Sequence, residues 1–227
     1  VPSNRAIRSR TVEGPMTARS SRFRLGINYW PSDLAMYWWK RFDEHQVKRD
    51  FARIRAAGFD SVRIFLLWED FQPASDRVSK RALSRLVRVA DAAHSNGLDL
   101  IPTLFTGHMS GVNWIPRWAI DPDRPPDPAS SAARFRIVAD GQVVNGSLKS
   151  WFRDENVACA QVRLASAAAR ALEGHPALWA WDLGNENSNC CVPPTRDAAV
   201  EWLDRVSAGI RAAEGTGTAG SRRGRGR

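Results

Sequence analysis

From residue 23 onward, short apolar runs alternate with amphipathic stretches. Phe23 to Asn28 (FRLGIN) predicts a strand. Asp43 then predicts a helix cap, with Gln46 three residues on as its capping-box partner. Val47, Phe51 and Ile54 keep helical spacing, and Gly58 stops the helix. Ser61 to Leu66 (SVRIFL) predicts a second strand. Ser79 opens a second helix with Leu83, Leu86, Val87 and Ala90 on one face, and Gly97 ends it. Leu98 to Leu104 (LDLIPTL) predicts a third strand. A third helix is expected over roughly 156–173 and a fourth strand from Leu178 to Leu183. Thr195 caps a last helix carrying Ala199, Leu203, Val206 and Ile210.

The helix–strand joints repeat. GFDSVRI from Gly58 and GLDLIPT from Gly97 lie 39 residues apart, about one βα unit, and GHPALWAWDLGNE follows from Gly174. The surplus before the third joint holds the Pro-rich DPDRPPDP and a predicted hairpin, FRIVADGQVVNGS, with Asp140-Gly141 as its turn. Near-continuous apolar strands alternating with helices mean a parallel sheet buried on both faces. Two closures satisfy that pattern, an open doubly wound sheet or a (β/α)8 TIM-type barrel. No GxGxxG or GxxxxGK[ST] follows a strand, which lowers the weight of nucleotide-binding open sheets. Polar and aromatic residues gather after the strand C-termini instead, where barrel sites are built. The expected fold is α/β, with about the first four βα units of such a barrel.

Composition narrows the function classes. Of 227 residues, 43% are apolar and 25% charged, as in a globular domain with a sizeable core. No window of 18 uncharged apolar residues exists, so no membrane partner is expected. The net charge of +9 would suggest nucleic acid, but residues 25–215 carry equal numbers of acids and bases. The excess lies in six Arg within residues 1–24 and four within 216–227. A phosphate-tracking groove needs its cations on a folded surface, so no nucleic-acid partner is expected. Cys159, Cys190 and Cys191 offer no CxxC spacing, and neither a metal nor a cofactor is expected.

Glu186 is the central candidate. Ala180, Asp182, Gly184 and Glu186 share strand parity and are expected to face the barrel lumen. A carboxyl at a strand's C-terminal rim, between Trp179 and Trp181 and the following loop, would have its pKa raised by apolar surroundings and would donate a proton. The alternative is a rim carboxylate paired with a neighbouring Arg. Ten Trp suggest aromatic platforms for a sugar's CH face, with Trp30, Trp38, Trp39, Trp68, Trp114, Trp118 and Trp151 in or beside loops. Glu69, Asp70, Asn113 and His108 would take its hydroxyls. Trp179, Trp181 and Trp202 are expected in the core.

LWAWDLGNEN resembles the acid/base strand of retaining glycoside hydrolases of clan A, the family 5 cellulase and β-mannanase type of (β/α)8 barrel. FRLGINYW is similar to that family's first strand, DFARIRAAGFDSVRIFLLWEDFQP to its first helix and second strand, and DLIPTLFTGH to its third strand. The resemblance covers residues 23–213. It implies hydrolysis of a β-linked glucan or mannan, or a non-catalytic carbohydrate-binding fragment. It implies Glu186 as acid/base, Asn185 as the group on the sugar 2-hydroxyl, Arg63 as support for the nucleophile, and His108 as the histidine after strand three. Trp30, Trp68, Asp70 and Trp114 would bind substrate. Two features depart from the family pattern. Asn187 stands where many members have Pro, and the family nucleophile ends strand seven, beyond the four units read here. Relatives are commonly secreted, but the first 24 residues show no apolar export segment.

Three segments are therefore expected: 1–22 basic and flexible, 23–213 a partial barrel, and 214–227 a disordered Gly/Arg tail. That tail reads like GC-rich DNA out of frame, so a truncated, catalytically incomplete chain is expected. The open sheet edges would need a C-terminal half or self-association to cover them.

Overall fold

The computed structural model describes residues 23–125 and 130–215. The basic segment 1–22 and residues 216–227 of the tail lie outside the described residues, whereas Glu214 closes the last helix.

The first strand, β1 (Gly26–Tyr29), begins later than its apolar run, leaving Phe23 and Leu25 exposed. It leads into α1 (Glu44–Ala56), capped by the Asp43 carboxylate on the His45 and Gln46 amides. Gln46 does not close the capping box, because its amide donates to Asp33 instead. Next come β2 (Ser61–Leu67), a single turn α2 (Trp68–Phe71), α3 (Lys80–Ser95) and β3 (Asp99–Thr106). Ser79 caps α3 as expected. The joint glycines Gly58, Gly97 and Gly174 all have φ between 66° and 92°, a left-handed C-cap that a side chain would strain.

β1, β2 and β3 form a parallel sheet in that order, with Gly26 opposite Ser61 and Ser61 opposite Asp99. The fourth extended segment lies alongside β3. Parallel bridges join Leu100 to Leu178 and Thr103 to Asp182, but the stretch between them is too irregular for a continuous ladder. Sheet order thus follows chain order. An open doubly wound sheet reverses its strand order partway, and the observed succession of neighbours shows no such reversal, consistent with part of a (β/α)8 barrel.

The helices follow the same succession. α1 packs on α3, α3 on α4 (Glu155–Ala171), and α4 on α5 (Arg196–Glu214). Right-handed crossovers place them on one side of the sheet. Val47 and Phe51 of α1, Leu86 and Val89 of α3, and Leu164 and Ala168 of α4 are buried there. Val62, Ile64 and Phe65 of β2 are also fully buried, as a central parallel strand requires. The outer edges of β1 and of segment 177–183 pair with no strand among the described residues.

The surplus between β3 and α4 is a small accessory layer. β4 (His108–Met109) turns through Ser110-Gly111 into β5 (Val112–Trp114), and β6 (Ile120–Asp121) pairs with β9 (Ser147–Leu148). Between them β7 (Arg136–Ala139) and β8 (Gln142–Val144) form the expected hairpin. Asp140 and Gly141 have φ of 51° and 76°, the signs a type I′ turn demands. The order β4-β5-β7-β8 sets this sheet just beyond the C-terminal end of β3.

Candidate functional site

The site begins where segment 177–183 stops being extended. Asp182 still faces the sheet interior. One of its carboxylate oxygens accepts from Arg63 Nε at 2.8 Å and from Thr103 Oγ1 at 2.8 Å, tying β2, β3 and the fourth segment together. Arg63 thus stands as a lumen ion-pair residue beneath the rim. Strand parity fails two residues later. Gly184 has φ of 139° and Glu186 has φ of 48° and ψ of 44°, so the chain turns left-handed and enters a short 3-10 turn over Asn187–Asn189.

A Cβ at Gly184 would overlap the Asn187 side-chain amide. That collision and the glycine-only φ together predict the effect of Gly184→Ala. The variant is expected to lose about 1–3 kcal/mol and to displace Glu186, read as a lower urea midpoint.

Glu186 reaches the β3–β4 end. Its Oε2 lies 3.4 Å from His108 Nε2 and accepts from Asn189 Nδ2 at 3.0 Å. His108 is buried, and its Nδ1 is 2.7 Å from Asn113 Oδ1. Asn113 is fully buried and donates through Nδ2 to the Asn189 carbonyl at 3.1 Å. That bond turns its oxygen toward His108, so Nδ1 donates to Asn113 and Nε2 is the ring nitrogen that faces Glu186. Asn185 Nδ2 donates to the His108 carbonyl at 2.8 Å, and the Phe135 ring packs on the imidazole at 4.3 Å. Four polar residues from two separate loops are thereby locked around one carboxylate.

Glu186 itself is 60% exposed, so the apolar environment expected from Trp179 and Trp181 does not surround it. Trp179 is exposed under the Arg24 guanidinium rather than in the core, and Trp181 is half-buried with its indole N–H on Glu214. Trp202 is in the core as expected.

The aromatic platforms need correction. Trp68 is fully buried against Phe105, Trp118 and Trp151, and its indole N–H donates to Gln72. It presents no face to a sugar. Trp38, Trp39 and Trp151 are buried likewise. Trp118 and Trp151 pack around Trp68, while Trp38 and Trp39 lie in the 3-10 turn Ala35–Trp39 and pack on Tyr29, Phe42 and Phe71. Trp30 is half-buried against Phe65, and Trp114 is half-buried against Tyr37, with its N–H on the Met109 carbonyl. Asn113 was legible as a polar residue beside the site; its place as the partner of His108 was not.

Asp70 is also corrected. It is buried, with Lys40 Nζ at 3.5 Å, and is no open acceptor for a hydroxyl. Neighbouring Glu69 accepts from the same Lys40 and from the Asp140 amide, so this cluster pins the hairpin turn. Burial pushes the Asp70 carboxyl up to about 6, against a lowering by Lys40. The folded state therefore holds this proton more tightly than the unfolded chain. Its ionisation is a cost present above that pH and relieved as pH falls through it. Between pH 7 and 5 the relief is about 1 kcal/mol. Asp70→Asn is expected to flatten that part of the stability profile, read from urea midpoints at both pH values.

Solved glycoside hydrolases match this chain over most of its length. A GH5_18 protein from Streptomyces cattleya in complex with GlcNAc aligns with a TM-score of 0.69 and 27% identity, over 85% of this chain and 42% of that one. A variant from the same organism in complex with Manb1-4GlcNAc aligns with a TM-score of 0.69 and 26% identity, over 85% and 43%. The exo-beta-1,4-mannosidase Op5Man5 from Opitutaceae bacterium strain TAV5 aligns with a TM-score of 0.62 and 26% identity, over 84% and 30%. The chain spans about two-fifths of the length of the first two. No family model and no curated protein matches it.

Proposed function

From this likeness to family 5 glycoside hydrolases of clan A, we propose that the chain carries the acid/base part of a retaining β-glycosidase site. The observation behind the reading is one juxtaposition. Asn185-Glu186 follows the fourth parallel segment, and the buried His108 imidazole stands 3.4 Å from the Glu186 carboxylate. Glu186 is the proton donor to the leaving glycosidic oxygen. His108, fixed by Asn113, faces the Glu186 carboxyl through Nε2 at 3.4 Å and positions it. Asn185 braces the loop that carries His108 and sits beside the sugar 2-hydroxyl.

Retention needs a second carboxylate about 5–5.5 Å from the first, attacking the anomeric carbon. Asp182 is not that group, since Arg63 and Thr103 hold it. The attacking carboxylate is assigned to a later strand of the barrel. General acid catalysis alone gives about 10²–10⁴-fold, short of the 10⁶-fold or more typical of enzymes, so neither carboxylate suffices by itself. Among β-linked glucans and mannans we favour a β-mannosyl linkage. Two of the structures above are a complex with Manb1-4GlcNAc and an exo-beta-1,4-mannosidase.

The test is β-1,4-mannobiose turnover by the complete barrel, followed by proton NMR. β-Mannose as the first-formed anomer is expected. α-Mannose first would overturn the retaining assignment. Binding without turnover would favour a carbohydrate-binding role.

A further inference from the structure

Beside the Glu186 loop, the accessory layer borders a half-open cavity of about 990 Å³. That volume is at the upper end of the range for small-molecule sites, enough for more than one sugar ring. Its walls are the β7–β8 hairpin, the segment around β9, the start of α4 and the chain following Cys190. It shares two walls with the proposed acid/base. Phe135 lines it while packing on His108, and Cys190 lines it directly after Asn189, which holds Glu186.

Its charge is lopsided. Among the described residues, Arg124, Arg136, Lys149 and Arg153 line it against Asp121 and Asp154. Both acids bond backbone amides and keep their charge, so four cations face two anions. Asp154 caps α4 on the Asn156 and Val157 amides, and Asp121 accepts from the Asp123 amide. Arg136 and Arg153 are exposed and their guanidinium groups meet no acceptor among the described residues. Lys149 is held in place by the Trp118 carbonyl at 2.9 Å, which fixes its position and leaves its charge. The surrounding body, residues 25–215, is electrically balanced, so this concentration of unpaired cations is local.

We propose that this cavity is a subsite for an anionic group on the sugar chain, a uronate carboxylate or a phosphate ester. The inference rests on the glycosidase reading, because it places the anionic residue next to the bond that Glu186 protonates. Guanidinium groups suit both anions, since each offers paired oxygens to a planar donor fork. Lys149 adds a fixed point charge. Phe135 supplies an apolar wall for the ring that bears the anion.

The experiment is calorimetric titration of the full chain with β-1,4-mannobiose, β-1,4-dimannuronate and mannobiose 6-phosphate at low salt. At least tenfold tighter binding of an acidic sugar than of mannobiose is expected, shrinking as ionic strength rises. Dimannuronate tighter than the phosphate would assign the site to a uronate, and the reverse order to a phosphate ester. The double substitution R136Q and R153Q is expected to erase the preference and leave mannobiose affinity unchanged. A fall in mannobiose affinity to the same extent would overturn the subsite. Equal affinity for all three sugars would overturn the anion inference and leave the glycosidase reading standing. Binding of none would overturn both.

Discussion

In the complete barrel, Glu186→Gln is expected to lower turnover of β-1,4-mannobiose by about 10²–10⁴-fold, the usual contribution of general acid catalysis. A dinitrophenyl mannoside should lose far less in its first step, because dinitrophenolate departs without a proton. The two substrates together isolate the role. Equal losses on both would move Glu186 from proton donation to binding or structure. The substitution is conservative for the fold. A glutamine can keep the contact with Asn189 Nδ2 through its carbonyl oxygen, and the carboxylate is 60% exposed, so little packing is lost. The contact with His108 is the one that changes character, since an amide group replaces the carboxylate that faces Nε2.

Trp68→Ala is expected to cost about 3–5 kcal/mol, as emptying a large buried aromatic site does. Against a typical total of about 5–15 kcal/mol, that leaves much of the chain unfolded at modest urea. Trp68 is fully buried in the middle of an indole cluster, with ring centroids of Trp118 and Trp151 at 5.2 and 5.5 Å. Its N–H satisfies Gln72 Oε1 at 2.9 Å, and Gln72 is itself fully buried. Gln72 also donates to the Ala160 carbonyl of α4 and accepts from the Trp118 indole through its backbone oxygen. Truncation therefore opens a cavity and strands a buried acceptor at the joint between β2 and α4. Trp30→Ala, at a half-buried position, should cost less. A loss below about 1 kcal/mol at Trp68 would return it to the surface and revive its role as a sugar platform.

The helices were legible because their ends are written in local chemistry. Asp43, Ser79 and Thr195 each cap as their side chains predict, and the joint glycines Gly58, Gly97 and Gly174 follow the ends of α1, α3 and α4. The Asp140-Gly141 hairpin was equally local. The third helix starts earlier than its apolar spacing suggests, since Asp154 is the residue that caps it. What escaped the sequence depends on long-range packing. Period-two alternation placed Asp182 in the interior but could not foresee the left-handed turn that redirects Glu186. Loop tryptophans read as open platforms because nothing in a linear pattern shows a later segment folding over them. The Asn113–His108 pair depends on Asn189, 76 residues away, fixing an amide orientation. The assignment of Arg63 to a lumen ion pair needed Asp182, 119 residues on.

The backbone at position 186 sets a conflict between durability and chemistry. A glutamate at φ of 48° sits in a region that costs an ordinary L-residue about 1–2 kcal/mol and costs glycine almost nothing. Variants selected only for thermal resistance would therefore drift toward glycine or asparagine there, gaining robustness by discarding the carboxyl proposed as proton donor. An engineering campaign on this scaffold has to score catalysis and melting together, or it will enrich inert proteins.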